Sequence, residues 1–241
     1  DWLRVKGLPH PRTWVYSSRQ QALDFADLCS LPIVFKSPFG AAAAGVRVLK
    51  TRRALKRMVR RVFDHGFVPS GSHRRDRQWG RVLLQEYLPD VREWRMVRIG
   101  DSFMCRLKER VGEYHSGSGL VAWARPPVRV LDFARHVTDI GGFRSMDVDI
   151  FETVEGLLLV NELQAVFGGI RDSNMDRGVE HRGRWRWNPS EPAWQFEAGD
   201  FYRNACANER IRYILEESPR PPGMPHSRAV AQASAEGEEV G

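Results

Sequence analysis

The stretch Ser145–Gly169, SMDVDIFETVEGLLLVNELQAVFGG, decides how this 241-residue chain is read. Two runs, MDVDIFET and LLLVNELQ, have strand character and meet at Glu155-Gly156, where glycine supplies the positive φ of a two-residue hairpin turn. A turn there sets Asp149 opposite Glu162 and Asp147 opposite Gln164. Alternation then puts these four oxygen-bearing side chains on one face. Val148, Ile150, Leu159 and Leu163 take the other, which is the pattern of a sheet packed on a core. Facing carboxylates repel unless a positive charge lies between them. A hard divalent cation, with magnesium the expected one, meets that need through oxygen ligands. A hairpin with a solvated polar face is the plainer alternative.

The formal net charge of +7 is unevenly spread. Arg47–Arg81 carries its arginines and lysines against only Asp64 and Asp76, so its partner is expected to be anionic: nucleotide phosphates, an acidic substrate or nucleic acid. No apolar run is long enough to span a membrane, and no signal-peptide pattern is present. The chain opens on Asp1, and an internal piece of a longer protein is expected. Cys29, Cys105 and Cys206 are far apart and lack CxxC spacing, which fits unpaired thiols in a reducing, cytoplasmic setting. From Ser218 onward the chain is rich in Pro, Ala, Gly and Glu, and a disordered tail is expected over 218–241.

Upstream, a short strand at Trp14–Tyr16 precedes a helical stripe of Ala22, Phe25, Ala26 and Cys29, opened by a Ser18/Gln21 capping pair. Leu31–Lys36 reads as a buried strand, Ser37–Gly45 as a loop, and VRVL as the strand that follows it. Thr51–His65 predicts a helix in which apolar and basic pairs alternate, with Thr51 as N-cap and Gly66 as the stop. Its basic face is either a phosphate-binding surface or an ordinary solvated one. Gly66–Gly80 reads as a mobile polar loop. Strands are expected at Val82–Leu88, Glu93–Ile99 and Ser102–Arg110, a loop at Val111–Gly119 and a helix at Val130–Ile140. Arg182–Trp194 has no clear period, and a last helix is expected over Phe201–Glu216.

In this order the pieces resemble the ATP-grasp superfamily of ATP-dependent carboxylate ligases, nearest to the ribosomal-protein glutamate ligases, over roughly Gly7 to Gly169. Lys36-Ser-Pro-Phe-Gly40, followed by Gly45-Val46, is similar to the family's lysine and glycine-rich lid. Gln85-Glu86-Tyr87-Leu88 resembles its adenine-binding hinge. Glu93-Trp94-Arg95 and the strand ending at Arg110 resemble its substrate- and phosphate-side strands, and Asp149 with Glu162-Leu163-Gln164 its metal-ligand set.

The resemblance implies an α+β ATP-grasp module whose two α/β subdomains clamp ATP between antiparallel sheets. It divides the chain into 1–81 (lid and basic helix), 82–217 (hinge, metal site and C-terminal extension) and the tail. It implies ATP and Mg2+ as cofactors, with Lys36, Gly40, Gly45, Gln85, Glu86, Tyr87 and Leu88 on the nucleotide. Arg95 and Arg110 are implied on phosphate or substrate carboxylate, and Asp149, Glu162 and Gln164 on the metal. Phosphoryl transfer between two anions asks for such positioned cations. The implied reaction activates a small-molecule or peptide carboxylate as an acyl phosphate for attack by an amine. Nucleic-acid binding through residues 47–81 is the competing class, though not the expected one, and a truncated relative without turnover is a third. A homo-oligomer is left open. The sequence departs from the family at Ala43, where the lid has glycine, and at Gln164, where the last ligand is asparagine. An upstream domain with an earlier nucleotide-binding lysine is expected before Asp1, and Lys6 is not assigned that role.

Overall fold

A computed structural model describes residues 2–37, 43–108, 121–167 and 178–217. The fold is α+β, built on two antiparallel sheets. The first has four strands in the order β1-β4-β2-β3, formed by Thr13–Tyr16 (β1), Ile33–Lys36 (β2), Val46–Leu49 (β3) and Val82–Glu86 (β4). A short helix, Trp2–Val5 (α1), precedes it. Two helices, Arg19–Leu28 (α2) and Arg52–Asp64 (α3), cover the sheet, because each places small or branched apolar residues inward: Ala22 and Ala26 from α2, and Leu55, Val59 and Val62 from α3. They close over Ile33, Phe35, Val82 and Leu84. The Thr51 side chain accepts the Ala54 amide at 3.2 Å and fixes the start of α3. Gly66, at φ +71°, turns the chain out of it.

The second sheet has seven strands, with the path β11-β10-β6-β5-β8-β9 and β7 paired to β6. They are Arg92–Ile99 (β5), Ser102–Lys108 (β6), Val121–Trp123 (β7), Ser145–Glu152 (β8), Leu158–Gln164 (β9), Gly183–Asn188 (β10) and Ala193–Ala198 (β11). Helix Val128–Gly141 (α4) packs Val130, Leu131, Ala134 and Val137 onto Trp94, Met96, Val148 and Ile150. Trp2 and Leu3 of α1, with Leu8, join this core, so the extreme N-terminal segment belongs to the second sheet. The opposite face carries a smaller cluster, Val97, Ile99, Met104 and Trp123 with Tyr202 and Cys206. The last two flank or lie in Arg203–Arg212 (α5), whose first turn is left-handed at Asn204, Ala205 and Cys206.

Several expectations are corrected. Val82–Glu86 pairs with β1 and β2, so the first sheet runs past residue 81, and residues 87–91 make the crossing to the second. Residues 66–80 are tied by the Phe67–Gln78 bridge, with Phe67 buried in the first core, and a 3-10 turn forms at Arg74–Asp76. The aperiodic segment at 182–194 contributes to a hairpin, β10 and β11. The loop expected at Val111–Gly119 and the tail at 218–241 lie outside the described residues. Among the described residues no helix is long and apolar enough to cross a membrane.

Candidate functional site

In the hairpin of β8 and β9, Asp149 pairs with Glu162 and Asp147 with Gln164, the expected register. The turn differs. Nearer the loop, Ile150 pairs with Val160, Phe151 with Leu159 and Glu152 with Leu158, so the connection is longer than two residues and Asn161 is an extra residue in β9. This bulge shifts the alternation. Leu158, Val160 and Leu163 join the core under α4, whereas Leu159, expected there, is buried opposite Phe151 and outside that core.

Alternation along β5, β6 and β8 sorts their side chains. Trp94, Met96, Phe103, Cys105, Val148 and Ile150 enter the core under α4. Glu93, Arg95, Arg106, Lys108, Asp147 and Asp149 share the other face, and all but the half-buried Arg95 are buried. Arg95 donates two hydrogen bonds to Asp149, Nε to Oδ1 at 3.0 Å and Nη2 to Oδ2 at 3.1 Å. The Lys108 ammonium donates to Asp149 and, at 2.7 Å, to Glu93. The positive charge that the facing carboxylates require is therefore supplied by protein cations.

These contacts set the ionisation of the cluster. Burial pushes Asp149 up, but Lys108 and Arg95 outweigh it and hold the carboxyl below its usual range. For Glu93, burial wins over Lys108 and the pKa rises. Lys108 is raised, because Asp149 and Glu93 together exceed its burial cost. Asp147 has Arg95 Nε at 2.9 Å, yet among the described residues neither of its oxygens accepts a hydrogen bond. Burial and the neighbouring Asp149 dominate there, and its pKa is pushed up to about 7. Arg106 lies 3.7 Å over the Tyr202 ring, and burial raises that phenol to about 12.

Lys36, at the end of β2 in the first sheet, reaches across to this face. Its ammonium donates to Asn161 Oδ1 at 2.7 Å, and Asn161 Nδ2 donates to Glu93 at 3.3 Å. Burial lowers the Lys36 pKa, and Glu162, Glu93 and Asp149 oppose the shift. A continuous chain of polar contacts thus runs from Lys36 through Asn161, Glu93, Lys108 and Asp149 to Arg95.

Gln85 and Glu86 end β4, and Tyr87 and Leu88 follow in the crossing between sheets, where a hinge is expected. Their side chains are engaged elsewhere: Gln85 donates to Thr13 at 3.1 Å, and Glu86 accepts from the Arg12 amide and guanidinium at 2.7 Å each. In the lid, Ser37 donates its amide to the Gly45 carbonyl at 2.9 Å. Gly40 and Arg110 lie outside the described residues.

Glu162 is exposed and Gln164 half-buried. No group of three His, Cys, Asp or Glu side chains is gathered for a metal among the described residues. The expected set, two carboxylates and an amide, has the hard-oxygen chemistry that magnesium takes. Asp149 is committed to Arg95 and Lys108, so Glu162 and Gln164 are its available members, and the ion's remaining ligands would be phosphate oxygens. A separate cleft, lined by Asp90, Arg92, Arg129, Glu152, Thr153 and Gly156, lies at the far end of the hairpin.

Neither a family model nor a curated protein matches this chain. Solved structures do. The ATP-grasp ligase PsnB complexed with precursor peptide PsnA2 and AMPPNP is 17% identical over 74% of this chain and 52% of that one, with a TM-score of 0.49. An ATP-grasp RimK domain protein from Sphaerobacter thermophilus is 18% identical over 67% and 55%, also at 0.49. The D-alanine-D-alanine ligase from Coxiella burnetii is 16% identical over 67% and 44%, at 0.47. The chain is similar to each of these structures over about two thirds or more of its own length. It spans about half the length of these structures.

Of the residues implied by the ATP-grasp resemblance, Lys36, Arg95, Asp149 and Glu162 come together between the sheets. Reasoning from sequence missed Asn161 and Lys108, which link them. For Lys108 a signal existed: in SFMCRLK, Arg106 and Lys108 alternate with Cys105 and Leu107 and so fall on the face opposite the apolar residues.

Proposed function

We propose that this chain is an ATP-dependent ligase that joins a carboxylate to an amine. The observation that carries the reading is the Lys36 ammonium, delivered from one sheet onto the acid–base cluster of the other. Adenine would lie along residues 85–88 and be held by backbone groups, since the Gln85 and Glu86 side chains are already engaged. Lys36 would neutralise phosphate oxygens, and Gly40 and Gly45 would let the lid backbone approach them. Arg110 would meet phosphate or the substrate carboxylate. Arg95, locked between Asp147 and Asp149, would hold those carboxylates in place rather than fork onto phosphate.

The substrate is a small-molecule or peptide carboxylate. Its oxygen attacks the γ-phosphorus while the bond to the β–γ bridging oxygen breaks, and ADP leaves. The amine nitrogen then attacks the acyl carbon, phosphate departs, and the nitrogen loses a proton as the amide forms. Glu162 and Gln164 would hold magnesium, whose charge when bound offsets that of the phosphates, while Asp149 stays bonded to Arg95 and Lys108.

Lys36→Ala tests the reading. Calorimetric titration should show ATP affinity reduced at least tenfold, with the far-ultraviolet circular dichroism unchanged. Equal affinity in both proteins would remove the nucleotide site from this cleft.

A further inference from the structure

The bulge in β9 gives Asn161 a place that simple alternation would deny it. In an unbroken hairpin with Glu162 on the polar face, residue 161 points into the core under α4. The extra residue instead brings its amide to the polar face, at the boundary between the sheets. Both ends of that amide are used. Oδ1 accepts from Lys36, which can only donate, and Nδ2 donates to Glu93, placed beside Lys108 as an acceptor. Few side chains bridge a cation and a carboxylate this way. Aspartate would set a second negative charge against Glu93, and leucine would offer neither group. The contact spans 125 residues of sequence and joins the two sheets directly.

We propose that Asn161 is a positioning residue for Lys36: held by Glu93 on a one-residue bulge, it fixes the lysine ammonium where nucleotide phosphates would meet it. This rests on the reading of the cleft as a nucleotide site and adds a residue that the motif comparison leaves without a role. Lys36 extends from a strand end beside the lid and would otherwise sample many rotamers. Holding its ammonium before ATP arrives removes that ordering cost from binding.

The test compares ATP with adenosine, which reaches the crossing segment but has no phosphates, in the parent chain, Asn161→Leu, Lys36→Met and the double variant. Asn161→Leu should weaken ATP about tenfold and leave adenosine affinity unchanged. In the Lys36→Met background it should add nothing, since the group it positions is gone. If Asn161→Leu fails to fold, Asn161→Ala, which only removes atoms, is read in the same way. Should Lys36→Met lose ATP while Asn161→Leu keeps it, or should the two losses add, the positioning role falls and the nucleotide reading stands. Should Lys36→Met bind ATP like the parent, the nucleotide reading falls and takes the role of Asn161 with it.

Discussion

Asp147 is a poorly compensated carboxylate of the cluster. It is fully buried, and Arg95 is close enough to pair but not aligned to donate. Asp149 takes the better geometry of Arg95 and a hydrogen bond from Lys108, so two carboxylates on one face ionise differently. Burial and Asp149 raise the Asp147 pKa from 3.8 to about 7. The folded chain therefore keeps a proton between about pH 4 and 7 that the unfolded chain has released. The resulting stability is fully present below about pH 4 and is lost as the pH rises towards 7. Asp147→Asn keeps the shape and cannot ionise, so urea denaturation at pH 5 and pH 8 should show a smaller loss of stability than in the parent. An unchanged difference between those two pH values would mean that Asp147 titrates normally and that Arg95 compensates it fully.

At the scale of the hairpin, β8 and β9 owe their shape to two irregularities that offset each other. The loop is longer than Glu155-Gly156 alone, and Asn161 is inserted, so Asp149 still meets Glu162. That pairing was legible from the sequence although the turn was not. In LLLV, apolar residues occupy both faces, and a one-residue shift leaves no mark on such a run. Gly156 sits at φ +83°, and an added Cβ would lie 2.9 Å from Arg129 Nη1. Gly156→Ala should cost about 1–2 kcal/mol in urea denaturation from its left-handed backbone. The site should persist, because the bulge lies between the turn and Asp149. A cost near zero would mean that the loop relaxes freely. The hairpin of β10 and β11 was hidden for a different reason. Trp185 and Trp187 alternate with Arg184 and Arg186, a period-two pattern, but arginine reads as solvent-facing. Arg184 is in fact buried, because Glu197 and Glu209 pair with it. Likewise, the helices were legible from apolar spacing and caps, whereas the chain of contacts from Lys36 to Arg95 depends on which sheet faces which, a tertiary fact that no local pattern encodes.

At the scale of the molecule, two sheets with separate cores are joined by polar contacts that run from Lys36, and the residues there divide into those that hold the fold and those that are available to a ligand. Asp149 belongs to the first group, being buried and bonded to Arg95 and Lys108. Glu162 is exposed on β9, and its charge supports that of Lys36 against the cost of burial. This difference separates a ligand role from a structural one. Glu162→Gln changes the charge with little change in volume at an exposed site, where substitutions shift stability by no more than about 0.5 kcal/mol. Its melting temperature should therefore match the parent's. Nucleotide binding should survive in weakened form, and the increase in ATP affinity on adding magnesium should disappear, together with any ADP formation that the parent chain shows. Asp149→Asn should behave differently, because it leaves Arg95 and Lys108 without a buried charge that both contact. Loss of a buried partner of that kind costs about 3–5 kcal/mol, so this variant should melt lower whether or not magnesium is present. If Glu162→Gln keeps the magnesium effect on ATP affinity, Glu162 is not a metal ligand, and the face shared by Asp149 and Glu162 serves the protein's own cations alone.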